Sequence, residues 1–199
     1  MDTSTIQRSP QVINGDNPIH AAHWMNTHQL GHLLLVETVG NEHEAITELI
    51  VQLALRGSFN LIATDEWLPD RDTLYRLVHR YTLKMEETLA RPSIRRPLTC
   101  LQMLDFLRSA DMQGKPTLIT NFLYHFYNAD FELSLRDRIL EQCCQYTKSL
   151  SLSNSVIVLV PRLFAEEYRR FFPILASIAN EIISIEETLA IEASQHSLF

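Results

Sequence analysis

The chain is short of glycine, of cysteine and of positive charge, and it has no long apolar run. Five glycines in 199 residues exclude a collagen-like or glycine-rich low-complexity chain. With 46% hydrophobic and 21% charged residues, the composition is globular rather than disordered. The three cysteines, Cys100 and the neighbours Cys143 and Cys144, offer no disulfide framework. Adjacent cysteines rarely bridge, and an odd count fits a reducing compartment. No run reaches the roughly 20 apolar residues that cross a bilayer, so no membrane partner is expected. The opening MDTSTIQRSP lacks the apolar core of a secretory signal, and an intracellular location is expected. Seventeen Lys and Arg against 24 Asp and Glu give a net charge of -7, which argues against coating nucleic acid by charge alone. Only a local basic patch could do that. There is no G-x-S-x-G elbow to mark a serine hydrolase.

What is present is an alternation of two patterns. Residues 1–30 are polar and interrupted by Asn14, Gly15, Asp16 and Pro18, which reads as an arm or linker. Residues 31–190 form the core domain, and 191–199 a short tail. Within the core the short apolar runs are LLLV (33–36), FNLIA (59–63), PLTCL (97–101), PTLIT (116–120), SVIVLV (155–160) and EIISI (181–185). They are apolar on both faces, which is the pattern of buried parallel strands. Between them Leu74, Leu77, Val78, Tyr81 and Met85 keep helical spacing. So do Leu135, Ile139, Cys143, Tyr146 and Leu150, after a capping box at Ser134 and Asp137. Pro173 is expected to split or end the helix that starts near 163, and RPSIRRP (91–97) reads as a loop. The sum is a three-layer α/β domain with a central, mainly parallel sheet.

The segment GNEHEAIT (40–47) lies between a strand and a helix, where a phosphate-binding loop would sit. Such a loop, GxxxxGK[ST], needs backbone N–H groups around the phosphate, a lysine for charge and a hydroxyl for Mg²⁺. Gly40 and Thr47 keep the first glycine and the hydroxyl, but Ala45 and Ile46 replace the second glycine and the lysine. Glu42 and Glu44 would repel a phosphate. With Glu48 they read as a solvated helix face. The plain alternative is a strand-to-helix turn with no ligand.

Three further segments carry a resemblance. ATDEWLPDRDTLYRLVHRY (63–81) is similar to the stretch of RadA-type recombinases that runs from the second core strand past an acidic residue to a Pro-acid-Arg helix start. TLITNFLYHFYNADFELSLRD (117–137) resembles that family's second nucleotide motif, in which an apolar strand ends in Asp before a Tyr-x-x-Asp-Tyr turn and an E-L-S-x-R helix start. LASIANEIISIEE (175–187) resembles its last core strand. The resemblance implies a RecA-like fold over residues 33–187. Asp65 or Glu66 would stand at the water-activating position, and Asn121 where the metal-orienting Asp belongs. With Lys missing at 46 and Asp at 121, it implies a paralogue without ATPase activity, holding no cofactor and no metal. Its implied partners are another RecA-like paralogue and a strand-exchange recombinase, with single-stranded DNA reached through the complex. The implied address is nuclear in a eukaryote and cytoplasmic otherwise.

Two surface features go with this reading. Arg162, Arg169 and Arg170, among Phe164, Tyr168, Phe171 and Phe172, follow the strand whose loop contacts DNA in recombinases. Arginine beside aromatics suits single strands; the alternative is an amphipathic helix with packed aromatics. Ile19 and Ala22, in Ile-His-Ala-Ala, resemble the Phe-x-x-Ala element by which recombinase protomers dock. A second reading is a scaffold subunit of a RecA-like ring acting on RNA, such as the Elongator accessory subcomplex. A third is a small enzyme with its site at the strand ends, near Glu37, Asp65 and Asn121. His20, His23, His28 and His32 have no spacing of a closed zinc site, and Cys143 and Cys144 read as buried hydrophobes.

Overall fold

The computed structural model describes residues 11–14, 31–39, 43–64, 68–127, 131–163 and 165–186. Its centre is strand β2 (Leu33–Val39), buried from Leu33 to Thr38. Parallel to it run β1 (Gln11–Asn14), β3 (Phe59–Ile62), β4 (Pro92–Arg95), β5 (Thr117–Thr120), β6 (Val156–Pro161) and β7 (Glu181–Glu186). They form one seven-stranded sheet in the order β1-β7-β2-β6-β5-β3-β4, with every pairing parallel. The chain is an α/β protein of three layers, as the apolar runs imply.

Among the described residues seven α-helices flank the sheet: α1 (His43–Arg56), α2 (Arg71–Tyr81), α3 (Met85–Leu89), α4 (Cys100–Arg108), α5 (Tyr124–Tyr127), α6 (Leu133–Ser153) and α7 (Glu166–Ala176). Steps outward from β2 to β3 and β4 carry α1 to α3, and the return through β5, β6 and β7 carries α4 to α7. With right-handed crossovers, opposite directions place helices on opposite faces. The core divides accordingly. Leu34 and Val36 pack with Leu49, Ile50 and Leu53 of α1, whereas Leu33 and Leu35 pack with Met103, Leu140, Cys143 and Phe171 of α4, α6 and α7. That is the period-two alternation of a strand covered on both sides.

Several readings of the sequence need correction. PLTCL is not a strand. Thr99 Oγ1 accepts from the Gln102 amide at 3.2 Å and caps a helix that begins at Cys100. The strand is PSIR, inside the segment read as a loop, and it pairs with β3 from Phe59↔Pro92 to Ile62↔Arg95. Two prolines and three arginines disguised it, yet an edge strand tolerates both. Helix α6 starts at Leu133 with Glu132 at its N-cap and no side-chain cap bond, so Ser134 lies inside the helix and Asp137 pairs with Arg170 rather than completing a capping box. Pro173 neither splits nor ends α7, which starts at Glu166 and runs on to Ala176. It sits on the exposed side three residues from the end, where the one i→i−4 bond it forfeits leaves a carbonyl that water can reach. The period from Leu74 to Met85 is also interrupted, since α2 closes at Tyr81 and Met85 opens α3. Inside the polar arm, Gln11–Asn14 adds to the sheet as β1, in register with Ile183–Glu186. Among the described residues no helix is long and apolar enough to cross a membrane.

Burial on both faces sets the stability of β2. Replacing Leu35, 0% exposed, by Ala should cost about 2–5 kcal/mol by chemical denaturation, through lost transfer energy and a residual cavity. Leu83, 87% exposed, should tolerate Ala within about 0.5 kcal/mol.

Candidate functional site

In a doubly wound sheet, ligands bind beyond the carboxyl ends of strands, where neighbouring strands send their loops to opposite faces. Here β2 leads to α1 on one face while its neighbour β6 leads to α7 on the other. The end of β2 carries Glu37, only 5% exposed. Its carboxylate accepts from Arg162 just past β6, from the Tyr168 hydroxyl on α7, and from Ser184 Oγ on β7 at 2.7 Å. Arg162 also donates to Ser184 Oγ at 3.3 Å, while its amide extends the ladder to the Thr38 carbonyl at 2.8 Å. Burial alone would raise the Glu37 pKa. The three donors and the guanidinium charge outweigh it, and the pKa is lowered. Burial and the bond to Glu37 push the Tyr168 phenol up in turn. The carboxylate stays ionised, and its oxygens are occupied by donors. It holds three elements together and is unsuited to act as a general base, which needs a lone pair directed at substrate.

The nucleotide-loop positions are occupied differently from a working phosphate site. Ile46 is 3% exposed and packed in the core with Leu49 and Ile50. The Thr47 hydroxyl is buried and donates back to the His43 carbonyl of its own helix. Gly40, Asp65 and Glu66 lie outside the described residues, as do Ile19 and Ala22. Glu48 is not merely solvated: it accepts from Gln52 at 2.8 Å and from Tyr81 at 2.6 Å, tying α1 to α2. Next to the undescribed pair, the buried Thr64 hydroxyl has no hydrogen-bond partner among the described residues.

Asn121 closes β5 in the left-handed region, φ 51°, and is 4% exposed. Asn tolerates this backbone better than most residues. Its carbonyl accepts from the Tyr124 amide at 3.1 Å and starts the turn into α5. Beside it a groove of about 450 Å³ opens between α5 and the start of α7, bordered by Asn121, Tyr127, Leu163 and Glu167. Sequence reading placed Tyr127 only as the first tyrosine of the Tyr-x-x-Asp-Tyr resemblance, with no role in a groove, and assigned nothing to Glu167; Asn121 at the end of an apolar strand pointed there.

The three arginines are not brought together as one basic surface. Arg162 is held by Glu37, and Arg170 forms a double contact with Asp137, Nε lying 3.0 Å from Oδ1. Arg169 remains on the surface. Phe164 lies outside the described residues; the other aromatics around them serve the core, Tyr168 and Phe171 being buried and Tyr168 stacking on Phe172 at 5.0 Å. Cys143 and Cys144 are buried and their thiols are shifted upward by burial, Cys144 to about 12, so neither is a nucleophile. His32 lies 3.7 Å from Glu181, and among the described residues no group of His, Cys, Asp and Glu could hold a metal ion.

Because the folded-state pKa of Glu37 is depressed, its stabilising contribution is present above the unfolded value of about 4.5 and lost as pH falls through the folded value. Glu37→Gln should therefore destabilise by about 3 kcal/mol at neutral pH, leaving Arg162 without its counter-charge. The deficit relative to wild type should shrink as the pH of the unfolding experiment is lowered below that value. A deficit independent of pH would show that packing, not charge, is lost.

Compared with known proteins, the chain matches no protein-family model and no curated protein.

Proposed function

We propose that the protein is a non-catalytic RecA-like subunit of a heteromeric complex. In that complex it assists a strand-exchange recombinase on single-stranded DNA during homologous recombination. The observation that carries the non-catalytic half is the placement of Ile46. The side chain at the lysine position of the phosphate loop is turned into the core, and the neighbouring Thr47 hydroxyl is spent on its own helix. Asn121 at the end of β5 supports the same reading, because an amide is a poorer partner for Mg²⁺ or its waters than a carboxylate. The recombination half rests on the sequence resemblance across residues 63–81, 117–137 and 175–187. RecA-like domains bind nucleotide between subunits, so a subunit of this kind can supply one face of the junction to an active partner. Its nucleus-or-cytoplasm address follows from the same resemblance.

Isothermal titration of the purified chain with Mg-ATP should give no saturable heat. A low-micromolar Kd, about -8 kcal/mol, would contradict the reading. Ile46→Lys should not create a nucleotide site but should lower stability by several kcal/mol, since it places an unpaired ammonium in the core. Affinity capture from native cells should recover a RecA-type recombinase or paralogue. Recovery of RNA-modification subunits would favour the Elongator-type scaffold instead, and recovery of the chain alone would leave the assembly reading without support.

A further inference from the structure

The groove between α5 and α7 gathers polar groups that the fold itself does not use. Asn121 is nine-tenths buried and borders it, yet among the described residues no hydrogen bond is made by its carboxamide. The Tyr127 hydroxyl is buried without a hydrogen-bond partner. Burial, and then the negative charge of Glu167, holds that phenol well above its ordinary pKa, so the Glu167 carboxylate lies within electrostatic reach of it. Glu167 itself makes no ion pair among the described residues. A buried hydroxyl left unsatisfied costs about 1–3 kcal/mol, and such a cost gathered in one groove is a mark of a group awaiting a partner.

The groove is also held in shape. Arg136 of α6 donates to the Phe126 and Tyr127 carbonyls at 2.9 and 3.2 Å, fixing the short helix α5. The Tyr127 ring stacks on Phe171 at 6.3 Å, which orients its hydroxyl without occupying it. The polar groups bordering it are a carboxylate, which only accepts, and a carboxamide and a phenol, which can accept as well as donate, beside an apolar wall that includes Leu163; the carboxylate sets the sign of the charge. A ligand that suits them is cationic, rich in N–H donors and carried on an apolar stem. The arginine side chain meets all three conditions, with five donors on a flat fork. A phosphate does not, because Glu167 would repel it and among the described residues no arginine lines the groove; Arg162 and Arg170 are already paired with Glu37 and Asp137.

We propose that this groove is the receptor for an arginine side chain of a partner protein, with Glu167 as its counter-charge and Tyr127 and Asn121 as its hydrogen-bond acceptors. The net charge of -7 favours the approach of a basic segment. The inference does not depend on the recombination reading, since any partner presenting such a segment would fit.

The test is NMR titration of the ¹⁵N-labelled full chain at low salt with three probes. These are a Gly-Arg-Gly peptide, the same peptide with citrulline (arginine's neutral isostere), and an oligothymidylate. The arginine peptide should give saturable shifts at the amides of Asn121, Tyr127 and Glu167, and the citrulline peptide should bind at least about tenfold more weakly. Glu167→Gln and Tyr127→Phe should each weaken the arginine peptide by about tenfold; Glu167→Gln should leave the unfolding midpoint unchanged, and Tyr127→Phe, which removes a buried hydroxyl with no partner among the described residues, should hold or raise it. If either variant moves the midpoint, the citrulline comparison on the wild-type chain decides. Equal binding of arginine and citrulline, shifts elsewhere, or no saturation would overturn the proposal. So would oligothymidylate shifting the same amides more strongly in Glu167→Gln, which would assign the groove to nucleic acid.

Discussion

Strand β2 is apolar for its first four residues and buried on both faces, and the remaining architecture answers that requirement. A strand with Leu33 and Leu35 on one side and Leu34 and Val36 on the other cannot lie at a sheet surface. It needs a helical layer above and below, and therefore connections that leave it in both directions. The parallel order around it, with β6 on one side and β7 on the other, satisfies its backbone groups while α1 and α7 cover its faces.

The same strand ends in a carboxylate. Glu37 extends the run LLLV into a position the two layers also bury, and an ionised group there is tolerable only when its oxygens meet donors. Arg162, Tyr168 and Ser184 supply them from three different elements. The carboxyl edge of the sheet, where many α/β proteins hold a ligand, is therefore filled at its β2–β6 junction by the protein's own salt bridge. The adjoining β5–β6 junction is different. There the Tyr127 hydroxyl is buried with no hydrogen-bond partner among the described residues, and the open groove bordered by Asn121 lies one strand away from the occupied crevice.

Much of this was legible in the residues. Five of the six apolar runs are strands, and the spacing of Leu135, Ile139, Cys143 and Leu150 identified the long helix α6. The sixth run failed for a local reason that the sequence also contains. Thr99 and Gln102 form a helix start, and three-residue spacing of a hydroxyl and an amide is the stronger signal. The edge strand PSIR could not be read from hydrophobicity, because an edge strand is selected by a neighbour's free backbone groups rather than by its own side chains. At the site, the absence of Lys at 46 and of Asp at 121 was plain, but the grouping of the arginines was not. Arg162 and Arg170 look alike in the chain and are both neutralised in the fold, by carboxylates 125 and 33 positions away.

The sequence by itself determined the layer architecture, since two-faced apolar runs alternating with one-faced ones admit few other arrangements. It also determined that the glycine loop lacks the charge a phosphate needs. Tertiary structure alone decided which polar groups are spent and which are left over. That is a matter of which side chains meet across the sheet, and long-range pairing has no periodicity in the chain. Glu37, near the end of β2, is enclosed by donors from three elements, whereas Glu167, in the first turn of α7, borders a groove; which of the two is spent follows from what the fold brings beside each.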